Sequence, residues 1–553
     1  MKNNLIKRIL GCVLVGTMVM GSITGCGNVS DAPVASKQET TVAESGATES
    51  TSTEVVEDIE ITYPLSEDVT LTIAYTEEGA VTANYKDFTE TPFWKAWQEK
   101  TGIKLEAMEL TSEAFDLMLI SGELPDLIFM KPYSYPGGPS QAIEDQIIEP
   151  LTDYMQYAPD LMAVLESDED YRKANTTSEG DIIGAPFIRG DEYLLTSFGT
   201  IIRADWLEEL NMETPKTPEQ FYDVLVAFKE KMGAEVPLSG RWRDVGRALL
   251  TGGGLTNAYG ILSAEFYQVD GTVHYGYTKP EMKEVFAYLN KLYNEGLLDP
   301  DFATMDATVA KNNILSGRAG VAAGAVGGAI GTYMRIAMAD NPDYALTGVP
   351  TLVSEEGETP QFSCAEFAVP GQMYVMTPQC ENKEAAVKFL NYGYTEEGGM
   401  FFNYGVEGES YTMVDGYPTY TEWVMNNPDG WTMQQALAGY CRSWAQGPFV
   451  QQKEYMEQFG SLDRQKEALT TWTDTEASSH IIPLISIKAE DSSEYSKIES
   501  EINTYIAEMS IAYITGAKSL DGFESEFLAT LESLDVDRMI EIKQNALDDY
   551  NAR

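Results

Sequence analysis

Histidine is nearly missing from this chain. Only His274 and His480 occur in 553 residues. A Ser-His-Asp arrangement would have to be built on one of them, in Thr-Val-His274-Tyr or Ser-His480-Ile, and an ordinary solvent-facing or locally bonded ring is expected at both. HExxH, GxSxG and P-loop patterns are absent. Cysteine is scarce as well. Cys364, Cys380 and Cys441 are the only ones in the body, too few and too widely spaced for a disulfide framework or a CxxC metal site; at most one bridge can form, and buried thiols are expected. Positive charge is short: 37 Lys and Arg stand against 87 Asp and Glu, a formal net charge of −50. That deficit argues against nucleic acid and against adsorption to anionic lipid, and it keeps an exported protein soluble. No EF-hand pattern occurs; Asp168-Glu169-Asp170 lacks the glycine and the spaced ligands. Neither a metal nor a cofactor is assigned.

The N-terminus holds the one long apolar run. Lys2, Lys7 and Arg8 precede a core at residues 9–20, too short to span a bilayer comfortably. Ile23-Thr24-Gly25-Cys26 then resembles the bacterial lipoprotein cleavage signal. The resemblance implies a signal peptide at 1–25, a lipid on Cys26, and a place on the outer face of a bacterial, Gram-positive cell membrane. The plainer alternative is a secretion signal with an incidental cysteine. Residues 26–66 are rich in Ser, Thr, Glu, Ala and Val and cannot bury enough apolar surface to offset their ordering entropy, so a tether is expected.

Residues 67–553 are long enough for two or three domains. Val69, Leu71, Ile73 and Tyr75 alternate with smaller or polar residues and predict a strand. Thr91-Pro92 opens a helix that Gly102 closes. A strand at 103–110, a helix at 112–121 ended by Gly122, and a strand at 126–130 follow. This β-α-β-α-β order predicts a mostly parallel sheet covered by helices. Ligands then sit beyond the strands' carboxyl ends, near 76–86 and 131–139. Further on, Thr217-Pro218-Glu219-Gln220 reads as a capping box, and Thr278 with Glu281 as another. The glycine-rich stretch 319–331 does not fit GxGxxG and predicts close packing of a strand on a helix. Helices are expected at 495–513 and 524–550.

Phe93-Trp94-Lys95-Ala96-Trp97 with Lys100-Thr101-Gly102-Ile103, Ser121-Gly122-Glu123-Leu124-Pro125-Asp126, Ile202-Arg203-Ala204-Asp205-Trp206-Leu207, Glu396-Glu397-Gly398 and Tyr404-Gly405-Val406-Glu407-Gly408 come in one order along the chain. Together they resemble the family 1 extracellular solute-binding proteins, in particular the large lipoprotein branch of Gram-positive ABC importers. The resemblance implies an α/β fold of the periplasmic-binding type: a two-lobed clamp, each lobe a mixed sheet flanked by helices, with C-terminal helices. It implies lobe 1 from 67–195, lobe 2 from 196–366, and a return to lobe 1 over 367–553 with C-terminal helices shared between lobes. Crossings are expected near 194–203 and 367–376. It implies no enzyme but a receptor that passes an oligosaccharide to the permease subunits of an importer; a monomer is the default, and the negative charge leaves the lipid as the membrane link. A peptide or charged-sugar receptor of the same fold is the alternative. A surface glycosidase or adhesin stands further off, since abundant carboxylates leave acid-base pairs possible.

Sugars stack their C–H faces on aromatic rings and bond through their hydroxyls to planar side chains. Loop aromatics, arginines and amides are therefore the candidates: Glu77, Tyr133, Arg189, Trp206, Arg241, Trp242, Asn257, Tyr259, Trp431, Arg442 and Trp444. Trp94 and Trp97 share a helix face and are expected in a core, and for Trp206 core or hinge packing is favoured over ligand contact. Arg189, Arg241, Arg243 and Arg442 keep uronate-bearing sugars open.

Overall fold

The computed structural model describes residues 61–66, 68–76 and 78–553. The signal peptide, Cys26, most of the tether and Glu77 lie outside the described residues. In chain order the strands used below are β1 (Thr70–Thr76), β2 (Lys104–Leu110), β3 (Leu127–Met130), β4 (Ala185–Pro186), β5 (Ile188–Arg189), β6 (Phe198–Arg203), β7 (Val321–Ala325), β8 (Leu346–Gly348), β9 (Met373–Met376) and β10 (Val450–Gln451). The helices used below are α1 (Pro92–Thr101), α2 (Ser112–Ser121), α3 (Pro218–Lys231), α4 (Met282–Asn294), α5 (Ala489–Ile514) and α6 (Val536–Ala552).

Alternation along β1 sends Leu71, Ile73 and Tyr75 into one core and Ala74 into another, so the strand is covered on both faces. It pairs in parallel with β2 and β3. The Thr91 hydroxyl accepts the Trp94 amide and Gly102 takes φ 78°, which fixes both ends of α1. Trp94 and Trp97 are buried, and Phe93 stacks on Phe401 with centroids 4.5 Å apart. β9 enters antiparallel beside β3, and β4 follows it, giving the order β2-β1-β3-β9-β4.

A second sheet has the order β8-β6-β7, its three strands antiparallel; Leu238 adds single parallel bridges to Val321 and Leu298. On one face α3 to α6 enclose Phe221, Phe228, Phe286, Ile502, Tyr513 and Ile542; on the other, Ile201, Ala322 and Leu346 meet Tyr404, Leu469 and Trp472. The chain passes between the sheets twice, between β4 and β6 and again between β8 and β9. The clamp thus has two lobes. In the glycine-rich stretch, a Cβ at Gly324 would lie 2.4 Å from that of Ala329, so the turn after β7 folds directly onto the strand.

Three local expectations need correction. Thr217 caps α3 by accepting the Gln220 amide, but Gln220 reaches back to the Lys216 amide at 2.8 Å, so the box is half made. Thr278 caps nothing: its hydroxyl donates to the Tyr275 carbonyl inside a short turn, and α4 begins after Pro280 without a side-chain cap. The helix expected over 524–550 is broken. Asp535 takes φ 61° and a new helix, α6, starts after it. The tip of α6 reaches residues 170–177, where Tyr550 donates to Asp170 and Arg553 to the carbonyls of Thr176 and Thr177.

Candidate functional site

β5 and β10 pair in parallel at the seam between the two sheets, placing Arg189 beside Gln451. β7 ends at Ala325, and the turn after it, Val326 to Gly328, lies opposite them. Between lies a cavity of about 240 Å³ lined by Phe187, Arg189, Trp444, Gln446, Tyr455 and Phe459, among others. A second cavity of about 390 Å³, lined by Trp431, Asn427, Arg335 and Met433, shares Gly327, Gln434 and Phe459 with it. The two make one groove. Gly327 permits it, because a Cβ there would fall 1.6 Å from the Phe459 ring.

The aromatic walls are held rigidly. The Trp444 indole N–H donates to the Cys441 carbonyl at 3.0 Å, and Tyr455 stacks on Phe459 at 5.4 Å. Trp431 meets Trp423 edge-on at 5.6 Å. Arg442, with 5% of its side chain exposed, grips both oxygens of Glu78 at 2.8 and 2.6 Å, and its guanidinium lies 5.5 Å from the Trp444 ring centre. Arg189 pairs with Glu366, which also accepts Arg247 at 2.8 Å. Burial would raise the Glu366 carboxyl, but Arg189 and Arg247 outweigh it and hold it below its ordinary value. One group is left over. The Oε1 of Gln446 is buried without a hydrogen-bond partner, on a residue held at φ 81°. A strained backbone and an orphaned acceptor at the same point mark a place prepared for a donor from outside the chain.

A family model described as "Bacterial extracellular solute-binding protein" matches residues 82–400. The chain belongs to that family. Lipoprotein LipO of Bacillus subtilis is 26% identical over 377 residues, covering 64% of this chain and 70% of LipO. The fructooligosaccharide ABC transporter substrate-binding protein FusA of Streptococcus pneumoniae is 27% identical over 259 residues, 44% of this chain and 47% of FusA. Among solved structures, the alginate-binding protein AlgQ2 without calcium superposes with a TM-score of 0.71 at 21% identity, over 89% of this chain and 100% of that one. At that identity the likeness shows the fold: the two-lobed solute-binding clamp.

Within this solute-binding protein, Arg189, Trp431, Arg442 and Trp444 come together at the groove or directly behind it. The other candidates among the described residues do not. Trp206 is core: it is 8% exposed, edge-on to Phe228 at 5.1 Å, with the Arg203 guanidinium 4.3 Å from its ring centre. Trp242 packs edge-on to Phe302, and Arg241 is paired to Asp244 at 2.6 Å. Asn257 spends its amide on the Gly253 and Leu262 carbonyls and its oxygen on the Gln361 amide, so it ties a loop. Tyr259 packs against the second core, and burial pushes its hydroxyl up to about 12. Tyr133 donates to the Ala174 carbonyl. It lines a separate cavity of about 800 Å³ with Glu265, Glu499 and Lys543, where Tyr495 donates to Glu499. A further cavity of about 620 Å³ belongs to the first lobe alone. Neither joins aromatic walls to an orphaned acceptor, as the groove does.

Gln434, Gln446, Gln451 and Glu366 are not singled out by the sequence, whereas Glu78 follows from the rule that ligands sit beyond strand ends. Gln446-Gly447-Pro448 is a turn signal, and it is the one hint that could have pointed to Gln446. His274 lies 3.4 Å from the Lys279 ammonium and His480 bonds the Gln268 carbonyl, so both rings are locally engaged. Asp168 caps a short helix through the Asp170 amide. Cys364, Cys380 and Cys441 are free thiols, the last two buried.

Proposed function

We propose that this protein captures an oligosaccharide in the Arg189–Trp444 groove and delivers it to an ABC importer. A lipid on Cys26 would hold it outside the cell membrane, within tether's reach of the permease, which raises the effective concentration at docking. The observation that carries the reading is the groove's chemistry: rings from Trp444, Trp431, Tyr455 and Phe459 alternate with uncharged amides around an unpartnered acceptor. Rings take the apolar faces of a pyranose or furanose, and amides take its hydroxyls. The names of FusA and AlgQ2, which bind fructooligosaccharide and alginate, support the same class. On this reading residues 67–195 and 196–366 are the two lobes, and closure turns on the crossings at 194–203 and 367–376.

A glycan panel in a thermal-shift assay tests the capture step. A bound glycan raises the melting temperature by mass-action linkage. No shift across the panel, or hydrolysis of a binding glycan by the pure protein, contradicts it.

A further inference from the structure

We infer that the groove takes an uncharged oligosaccharide and rejects uronate-bearing ones. The inference rests on the carbohydrate reading above and narrows it. Uronate recognition needs a guanidinium or ammonium free to face the ligand carboxylate. The two arginines at the groove that sequence left open for this, Arg189 and Arg442, are each already paired with a carboxylate of the chain. Arg442 gives one bond from each terminal nitrogen to Glu78 and one from Nε to the Gln446 carbonyl at 3.3 Å, and with 5% of its side chain exposed its charge is matched inside the chain. Arg189 is held by Glu366. Glu366 is shared with Arg247, and the surplus charge of that trio falls to Arg247, which is half-exposed over the Phe198 ring and outside the groove lining. Arg241 and Arg243 share Asp244, and the surplus charge of that trio falls to Arg243, which is exposed and outside the groove lining. A ligand carboxylate would have to displace Glu78, which is mostly buried, or the half-buried Glu366, and leave that carboxylate uncompensated.

The polar groups that remain point the same way. Gln434, Gln446, Gln451, Ser197 and Ser443 line the inner cavity. The orphaned Gln446 Oε1 is an acceptor. A sugar hydroxyl can donate to it, whereas a carboxylate carries only acceptors and would be repelled. Arg335 is the remaining cation. It stands exposed in the outer cavity and donates to Ser461 at 2.8 Å, where solvent screens it. Around all of this the formal net charge of −50 repels polyanions before they reach the seam.

The test is a calorimetric titration of the purified protein with size-matched panels: neutral fructo-, manno- and gluco-oligosaccharides against oligogalacturonates and oligomannuronates. A neutral glycan binds, its affinity is insensitive to added salt, and every uronate binds at least roughly 100-fold more weakly. Glu78→Gln and Glu366→Gln each release a guanidinium and gain roughly tenfold in uronate affinity. If either variant fails to fold, the salt response of the unaltered protein still decides. A uronate that binds as tightly as the best neutral glycan, or an affinity that falls steeply with salt, overturns the inference and leaves the carbohydrate reading standing. Binding of neither panel overturns both.

Discussion

Two arginine–tryptophan pairs in this molecule are built alike and serve different ends. Arg203 grips Asp205 with two bonds of 2.8 and 2.6 Å, and its guanidinium lies 4.3 Å from the centre of the Trp206 ring. Arg442 grips Glu78 with two bonds of 2.8 and 2.6 Å, and its guanidinium lies 5.5 Å from the centre of the Trp444 ring. Exposure separates them little at the arginines, with 6% and 5% of the side chains accessible. Sequence separation divides them sharply. Asp205 is two residues from Arg203, and Glu78 is 364 residues from Arg442. The first trio is local, and its ring is sealed against Phe228 inside one lobe. The second is assembled by the tertiary fold, and its ring borders the groove at the seam. A charge pair closed within one turn positions a core; one closed across the fold positions a site.

Substitutions can break this contrast. Trp206→Ala removes a sealed ring and should destabilise the protein by about 4 kcal/mol in urea melts, with the glycan affinity of the folded fraction unchanged. Trp444→Ala should do the reverse, costing about 2 kcal/mol of binding with a smaller loss of stability. If Trp444→Ala proves purely destabilising, the two pairs are equivalent and the groove assignment fails. At Gln446 the expected effects are smaller. Gln446→Ala should lose about 1 kcal/mol of ligand affinity by titration, for one hydrogen bond. Gln446→Gly should lose the same affinity yet raise stability by about 1 kcal/mol, because glycine accepts the left-handed backbone.

The smallest expected effect is a pH response. Glu366 has a folded pKa below its unfolded value of about 4.3, so its contribution is complete above that pH and is lost as pH falls through the folded value. Melting temperatures of the unaltered protein should therefore drop below about pH 4.3. Part of that drop should be missing in Glu366→Gln, which has no carboxyl to protonate. An identical acid response in both would remove Glu366 from the account of the seam.

What could be read from the chain followed the same division. β1, α1 and α2 are written in nearest-neighbour terms — alternation, Thr91-Pro92, Gly102 and Gly122 — and fold as read. Trp94 and Trp97 were legible as core from their helix face. Arg442, Trp444 and Trp431 were legible as loop residues with the right chemistry. Trp206 stayed a candidate beside its favoured core or hinge reading because a short segment after a crossing strand looks the same whether it faces a cleft or a core. The pairing of Arg442 with Glu78 and of Arg189 with Glu366 could not be read, since nothing local records a partner hundreds of residues away. That is why uronates stayed open at the level of sequence. The break at Asp535 was hidden for a different reason: helix-forming residues continue on both sides of a single left-handed turn.

The most direct measurement is a calorimetric titration of three proteins, unaltered, Trp206→Ala and Trp444→Ala, with one binding glycan. Undiminished affinity in folded Trp206→Ala and a loss of about 2 kcal/mol in Trp444→Ala are the results expected of a ligand seated at the seam. Full affinity in Trp444→Ala, or a loss confined to Trp206→Ala, would place the ligand elsewhere in the molecule.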